Sequence, residues 1–422
     1  MRRLLTPSTI VPCAIIAAVV AMVVSANIRE GRPSGRPSAV LPALGAPGVS
    51  TSREGLDRRI AEMEARLAKD KDDVSAAVLL SDALIRQSRV GGDSGAILRA
   101  EQALRQALRE APNSYDVLRM QGSLLLSQHK FRDALVVAEK CRALRPADAI
   151  NYGILGDAHL ELGEYDEAFD AFDRMMQLRP SAAAYSRVAY ARELQGDLKG
   201  ALESMKLAAD ATEGGDVEAI AWHHAQVGDL YLQLDRPSDA MREFATASQA
   251  FPGHPFAVTG YAKSLEAIGK RGEALALLED LVKASPTPDV YAYLGDLLSG
   301  MGRRDESERH YALAEAAWRS DAPEPKNLAR FLAERGRKID EAVQIAEAAA
   351  VSRRDIFTQD ALAWAYFKAG RLGDAQRAIA LARRTGSRDR DILRHAAAIQ
   401  EQAGQARQTP AAPAPPAARV AL

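Results

Sequence analysis

The stretch VGDLYLQLDRPSDAMREFATASQAFP, residues 227–252, carries Gly228, then Ala240 twelve positions on, Phe244 four beyond that, and Pro252 at its close. The same offsets recur along the chain. Counted back from Pro180 they fall on Gly156, Ala168, Phe172 and Met175, and from Pro146 on Gly122, Ala134, Ala138 and Cys141. From Pro286 they fall on Ala262, Ala274, Leu278 and Leu281. Two later sets are Gly295, Ser307, Tyr311, Ala314 and Ala363, Ala375, Ile379, Ala382. Pro112, Pro146 and Pro180 stand 34 residues apart, as do Pro252 and Pro286. A fixed period of this length marks a stacked array, in which no single unit buries its apolar face alone.

Two antiparallel helices explain the spacing. A Gly or Ala lies where the first helix meets the second, since a larger side chain would force them apart. Phe172 and Phe244 fill the groove between neighbouring hairpins. Turns such as Leu162–Ala168 (LGEYDEA) and Ala369–Ala375 (AGRLGDA) end one helix with glycine and restart with acidic residues in the next first turn. Proline closes the second helix, because it cannot continue one.

The segments Val227–Tyr231 (VGDLY), Leu155–His159 (LGDAH) and Leu294–Leu298 (LGDLL), each followed by Ala or Ser, an aromatic and usually a proline, resemble tetratricopeptide (TPR) repeats. The resemblance covers roughly residues 73–401 and implies an all-α solenoid of about nine helix-turn-helix pairs. It also implies a concave inner face that binds partner segments. An apolar stripe of Leu56, Ile60, Met63 and Leu67 predicts a helix over 54–72, and Arg390–Gln402 is expected to cap the array. Three departures stand out. Ser88–Ala96 reads as an insertion in the first pair. The pair starting at Ala184 closes without proline and runs into Thr212–Asp216 (TEGGD). Arg330 stands where a small residue is expected.

Outside the array the chain changes character. Arg2 and Arg3 precede an uncharged apolar run, Ile10–Ala26, so residues 1–28 read as a cleaved signal peptide or an uncleaved membrane anchor, with Val24-Ser25-Ala26 as a cleavage site in the first case. Residues 29–53, rich in Pro, Gly and Ser, read as a disordered tether, and 402–422 as a disordered tail. These features place the protein at a membrane or beyond it, in an extracytoplasmic and bacterial setting.

Chemistry is sparse. The net charge is −1, from 55 basic and 56 acidic residues, which gives no basic face for nucleic acid. Cys13 and Cys141 are the two cysteines, too few for a disulfide framework or a cysteine-rich metal site. His223 and His224 are adjacent and point about 100° apart on a helix, so they chelate poorly. No G-x-S-x-G, P-loop or H-E-x-x-H motif occurs. The chain is therefore expected to be non-catalytic, without cofactor or small-molecule substrate.

The candidate partner-binding residues lie on the first helices, opposite their small packing residues: Arg119, Ser123, Asp157, Tyr190, Trp222, Asp229, Phe256, Lys263, Asp296, Phe357, Asp360, Trp364 and Phe367. Trp222 with Phe256, and Phe357 with Trp364 and Phe367, are the candidate anchors, since aromatics dominate binding hot spots. Some TPR proteins grip a C-terminal carboxylate with Lys and Asn, and the matching positions here do not supply that set. The expected partner is a protein or peptide, with the membrane as a second contact if the leader is retained. A narrower expectation comes from Ala61–Asp73 (AEMEARLAKDKDD), which is similar to membrane-tethered TPR proteins of cytochrome c maturation.

Overall fold

A computed structural model describes residues 51–91, 94–320 and 325–408. The apolar run, the tether up to residue 50 and the chain from 409 onward lie outside the described residues, and with them the leader reading and the tail reading beyond 408, whereas 402–408, read as disordered tail, continue the last helix. Twenty helices follow one another among the described residues. The first, α1 (Arg53–Lys69), precedes nine antiparallel pairs. These are α2 (Val74–Gly91) with α3 (Ser94–Glu110), α4 (Tyr115–Ser127) with α5 (Phe131–Leu144), and α6 (Ala149–Leu162) with α7 (Tyr165–Leu178). Next come α8 (Ala182–Leu194) with α9 (Leu198–Asp210), α10 (Val217–Gln233) with α11 (Pro237–Ala250), and α12 (Pro255–Ala267) with α13 (Arg271–Ala284). The last three are α14 (Pro288–Gly300) with α15 (Arg304–Ser320), α16 (Pro325–Glu334) with α17 (Ile339–Ser352), and α18 (Ile356–Lys368) with α19 (Leu372–Ala382). A final helix, α20 (Arg390–Gln408), runs six residues past the expected end of the cap. The expected all-α solenoid is the fold observed.

Local chemistry sets the helix ends. Asp148, Ser181 and Asp197 accept backbone N–H bonds at the starts of α6, α8 and α9. Pro237, Pro255 and Pro288 sit at the first position of their helices, where the missing N–H costs nothing. Every turn inside a pair that is described uses a left-handed residue, supplied by Gly163 (φ 77°) and Gly370 (φ 74°) in the two turns read from sequence. His129 and Asp235 take the same conformation without glycine. Arg179 and Phe251, each just before its proline, are extended, as the proline ring requires.

The periodic residues form the core. Ala168, Ala240, Ala274, Phe244 and Leu278 have no exposed surface. A Cβ built on Gly156 would stand 2.3 Å from Cε1 of Phe172, and one on Gly295 2.5 Å from Cε1 of Tyr311. Phe244 is pressed between two backbones: a Cβ on Gly228 would meet its ring at 2.9 Å and one on Gly260 at 2.2 Å. Two of the departures pack differently from the sequence expectation. At α16, Ala329 is fully buried one position before Arg330, so the small residue is present in a shifted register, and Arg330 turns outward to Asp391. The supposed insertion at 88–96 is mostly helix, since α2 runs to Gly91 and α3 begins at Ser94.

The coil also touches itself. Thr51 accepts the Glu218 N–H at 3.0 Å and donates to Asp216 at 2.9 Å, while Arg86 and Arg89 of α2 pair with Asp216 and Glu218 at the start of α10. Tyr165 accepts the Ile356 N–H at 2.8 Å, Arg353 pairs with Glu161, and Arg384 donates to the Gly163 carbonyl at 2.9 Å. Arg390 donates to the Leu232 carbonyl at 2.8 Å. Each contact joins elements four to six pairs apart, so successive turns of the superhelix are stapled together.

Replacing Gly156 with Ala is expected to lower stability by about 1–3 kcal/mol, since overpacking outweighs the gain in helix propensity. Phe172→Leu in the same chain should recover part of the loss. Thermal melts of the two single variants and the double variant read the coupling, and additive losses would show that the two residues do not meet.

Candidate functional site

First helices of successive pairs present their inner faces to recesses in the coil. One of about 760 Å³ lies on α6, α8 and α10 and is bounded on one side by α2. This is within the range of ligand-sized clefts. Tyr190 and Trp222 line it with Met205, and so does Asp157. These three candidate residues come from the first helices of three consecutive pairs, whose inner sides adjoin one another.

The recess is electrostatically uneven. Arg187 bonds Asp157 through two nitrogens, at 2.9 and 2.6 Å. Burial raises the Asp216 carboxyl, but Arg86, the Thr51 hydroxyl and the Ala219 N–H outweigh it and hold the group below the usual carboxylate range. Glu193 has no such cation among the described residues. Burial pushes it up to about 7, with Asp229 and Asp389 adding to the rise and the Gln233 amide, donating at 2.7 Å, opposing it. Burial depresses His223 to about 4, so it is neutral at physiological pH and bonded to the Thr212 hydroxyl at 2.9 Å. Burial likewise raises the Tyr190 phenol. The TEGGD departure thus has a use: it brings Asp216 to Thr51 and Arg86, and Thr212 to His223.

Two smaller recesses hold other candidates. One of about 520 Å³ is lined by Lys263 and Asp296 together with Arg330, Arg335 and Arg394. Another, of about 260 Å³, takes Phe357 and Asp360. Asp229 lies beside the main recess and accepts a bond from Gln233 at 2.9 Å. Arg119 is buried and pairs with Asp116, Ser123 bonds the Arg119 carbonyl, and Phe256 packs on the core of α9–α11.

The aromatic group at the end of the array is placed differently from the sequence reading. Trp364 and Asp360 are buried, and Phe367 stacks on Trp364 with ring centroids 4.9 Å apart. The cause is α20, whose His395 lies flat on Trp364 at 4.0 Å. These residues form a seat for the cap and not an open anchor. His395 has no exposed surface and is held at both nitrogens, by Asp360 at 2.9 Å and Glu334 at 2.8 Å. Burial disfavours its charge, but the two carboxylates outweigh burial and raise its pKa. Burial raises Glu334 too, yet bonds from His395 and Arg394 bring it down to about 2. Asp360, the deeper carboxyl, is pushed up by its own burial. A lone His in the last helix, 35 and 61 residues from its partners, gives no signal in the sequence that could have revealed this cluster.

Known proteins match the chain in part. Residues 119–183 match the tetratricopeptide repeat family model. Human tetratricopeptide repeat protein 36 is 38% identical over 98 residues, covering 23% of this chain and 50% of its own length. The wheat Hsp70-Hsp90 organizing protein is 37% identical over 75 residues, covering 18% of this chain and 13% of its own. The chain thus spans about half the length of the first relatives it matches. Among solved structures, the human IFIT1 dimer with PPP-AAAA superposes with a TM-score of 0.51 at 14% identity, covering 79% of this chain and 78% of that one. The likeness is one of fold.

Two predictions follow from the titrating groups. Folding raises the Glu193 pKa from 4.5 to about 7, so the stability tied to its protonated form is present below 4.5 and lost as pH rises through about 7. Glu193→Gln is therefore expected to melt higher than the parent at pH 8, by the equivalent of about 1–3 kcal/mol, and equally at pH 4. A uniform shift at both pH values would contradict the burial of this carboxyl. For the cap, the His395 contribution is present below 6.5 and lost as pH rises through its raised value, and the Glu334 contribution is present above 4.5 and lost as pH falls through about 2. His395→Ala is expected to free α20 at a cost of roughly 3 kcal/mol. The readout is faster amide exchange across residues 390–405 with α8–α11 unchanged.

Proposed function

We propose that this tetratricopeptide-repeat solenoid is a non-catalytic scaffold that binds a segment of another protein in the recess on α6, α8 and α10. The observation that carries the reading is the recess itself: two aromatic side chains, Tyr190 and Trp222, face a cleft of about 760 Å³ between helices already packed against their neighbours. Aromatic surface in a preformed cleft lowers the ordering cost of binding, because the wall does not have to be built by the partner. Nothing needs to move for a side chain to enter.

The protein is held at a membrane or exported across it by the apolar run Ile10–Ala26, so the scaffold works outside the cytoplasm. Support for this is compositional, from the uncharged run with arginines ahead of it and the Pro/Gly/Ser tether behind. Among the described residues no helix is long and apolar enough to cross a membrane. A role in assembling an envelope complex is the narrower form of the reading, supported by the resemblance over Ala61–Asp73 alone.

A photo-crosslinking side chain at Gln226, in the recess, is expected to capture a defined partner in the native host, and one at the exposed Leu313 is not. Trp222→Ala should abolish the Gln226 adduct with helical circular dichroism unchanged. Equal capture from both positions would refute recess binding, and N-terminal sequencing that finds Met1 and a soluble cytoplasmic pool would refute the export reading.

A further inference from the structure

The recess carries a charge pattern that specifies its occupant. Five carboxylates and three guanidiniums line it. All three guanidiniums are already engaged by carboxylates of the protein: Arg86 by Asp82, Asp216 and Glu218, Arg89 by Glu218, and Arg187 by Asp157. Glu193 and Glu213 are left without a lysine or arginine among the described residues. The Glu193 carboxylate accepts from the neutral amide of Gln233, and Asp229 and Asp389 stand close enough to raise it further. His223 stays neutral, and so does the Tyr190 phenol, whose pKa burial raises. The cleft is thus an apolar, aromatic surface with unspent negative charge beside it.

We propose that the recess selects a basic protein segment, in which a lysine or arginine meets the Glu193 carboxylate and a neighbouring apolar side chain rests on Tyr190 and Trp222. Glu213 faces a second cation of the same segment. This rests on the recess-binding reading and adds the chemistry of the partner. A cation entering beside Glu193 removes the penalty of a buried, uncompensated carboxylate, so the pair gains on both sides. The aromatic faces hold the aliphatic stem of a lysine or the plane of a guanidinium equally well. An acidic segment or a nucleic-acid phosphate would place like charge against Glu193, Asp229 and Asp389 and is repelled.

Three short fluorescent peptides of one pattern, with Lys, Gln or Glu alternating with Leu and Ala, are titrated by anisotropy into the full chain, alongside an oligoadenylate. The Lys peptide is expected to bind and to weaken as salt is raised, whereas the Glu peptide and the oligoadenylate do not bind. The double variant Glu193→Gln with Glu213→Gln is expected to lose about tenfold or more in affinity for the Lys peptide. It keeps its fold, because removing the buried charge relieves a cost of folding. Trp222→Ala separates the two levels of the reading. If it weakens binding while the glutamate variants do not, or if the Gln peptide binds as well as the Lys peptide, the basic partner is refuted and the recess stands. If neither substitution matters, both readings fail. Oligoadenylate binding stronger than that of the Lys peptide overturns the charge assignment outright.

Discussion

Everything in this molecule depends on how closely two helices of a pair can approach. Glycine or alanine on the first helix lets an aromatic ring of the second lie directly on backbone, as Phe172 does on Gly156 and Tyr311 on Gly295. Phe244 does so twice, touching Gly228 of its own pair and Gly260 of the next. That double contact turns a stack of hairpins into one continuous object, because the ring that closes one pair also sets the distance to its successor. The inner faces then fall in register, and residues 34 positions apart arrive at a common surface.

A second set of forces acts at longer range. Packing between neighbours determines the pitch of a solenoid, but here arginines bridge its turns: Arg86 and Arg89 to the start of α10, Arg353 and Arg384 to the α6–α7 turn, and Arg390 to the α10–α11 turn. Two of these arginines, Arg384 and Arg390, reach backbone carbonyls at helix ends, where unpaired acceptors are concentrated. Arg353 and Glu218 are themselves buried, so these bridges are shielded from salt more than an exposed pair is.

The fold was legible in the sequence to the extent that it is local and periodic. The 34-residue spacing, the small residues and the turn glycines each reflect contacts within one pair or between adjacent pairs, and each of those residues is found in the role that its type suggests. Arg330 shows the limit of template reading: one position of slip conceals Ala329, which does the packing. The site was legible only as a face. Tyr190, Trp222 and Asp157 come together because they lie on the inner sides of three consecutive first helices. Trp364 and Asp360 lie on the first helix of the last pair, which has no following pair, and α20 covers them with His395. The acidic character of the recess was not legible either, since it depends on which carboxylates the inter-turn arginines have already neutralised.

An unbridged superhelix behaves as a spring, stretching and unwinding to admit bulky cargo and closing again around it. Cross-ties between its windings remove that compliance and leave a rigid aperture. Cargo here must conform to the opening instead of reshaping it, which favours a slender polypeptide over a folded domain. Elasticity returns only where a tie can be cut, and the arginine bridges are the places at which high ionic strength or a competing anion would loosen the coil.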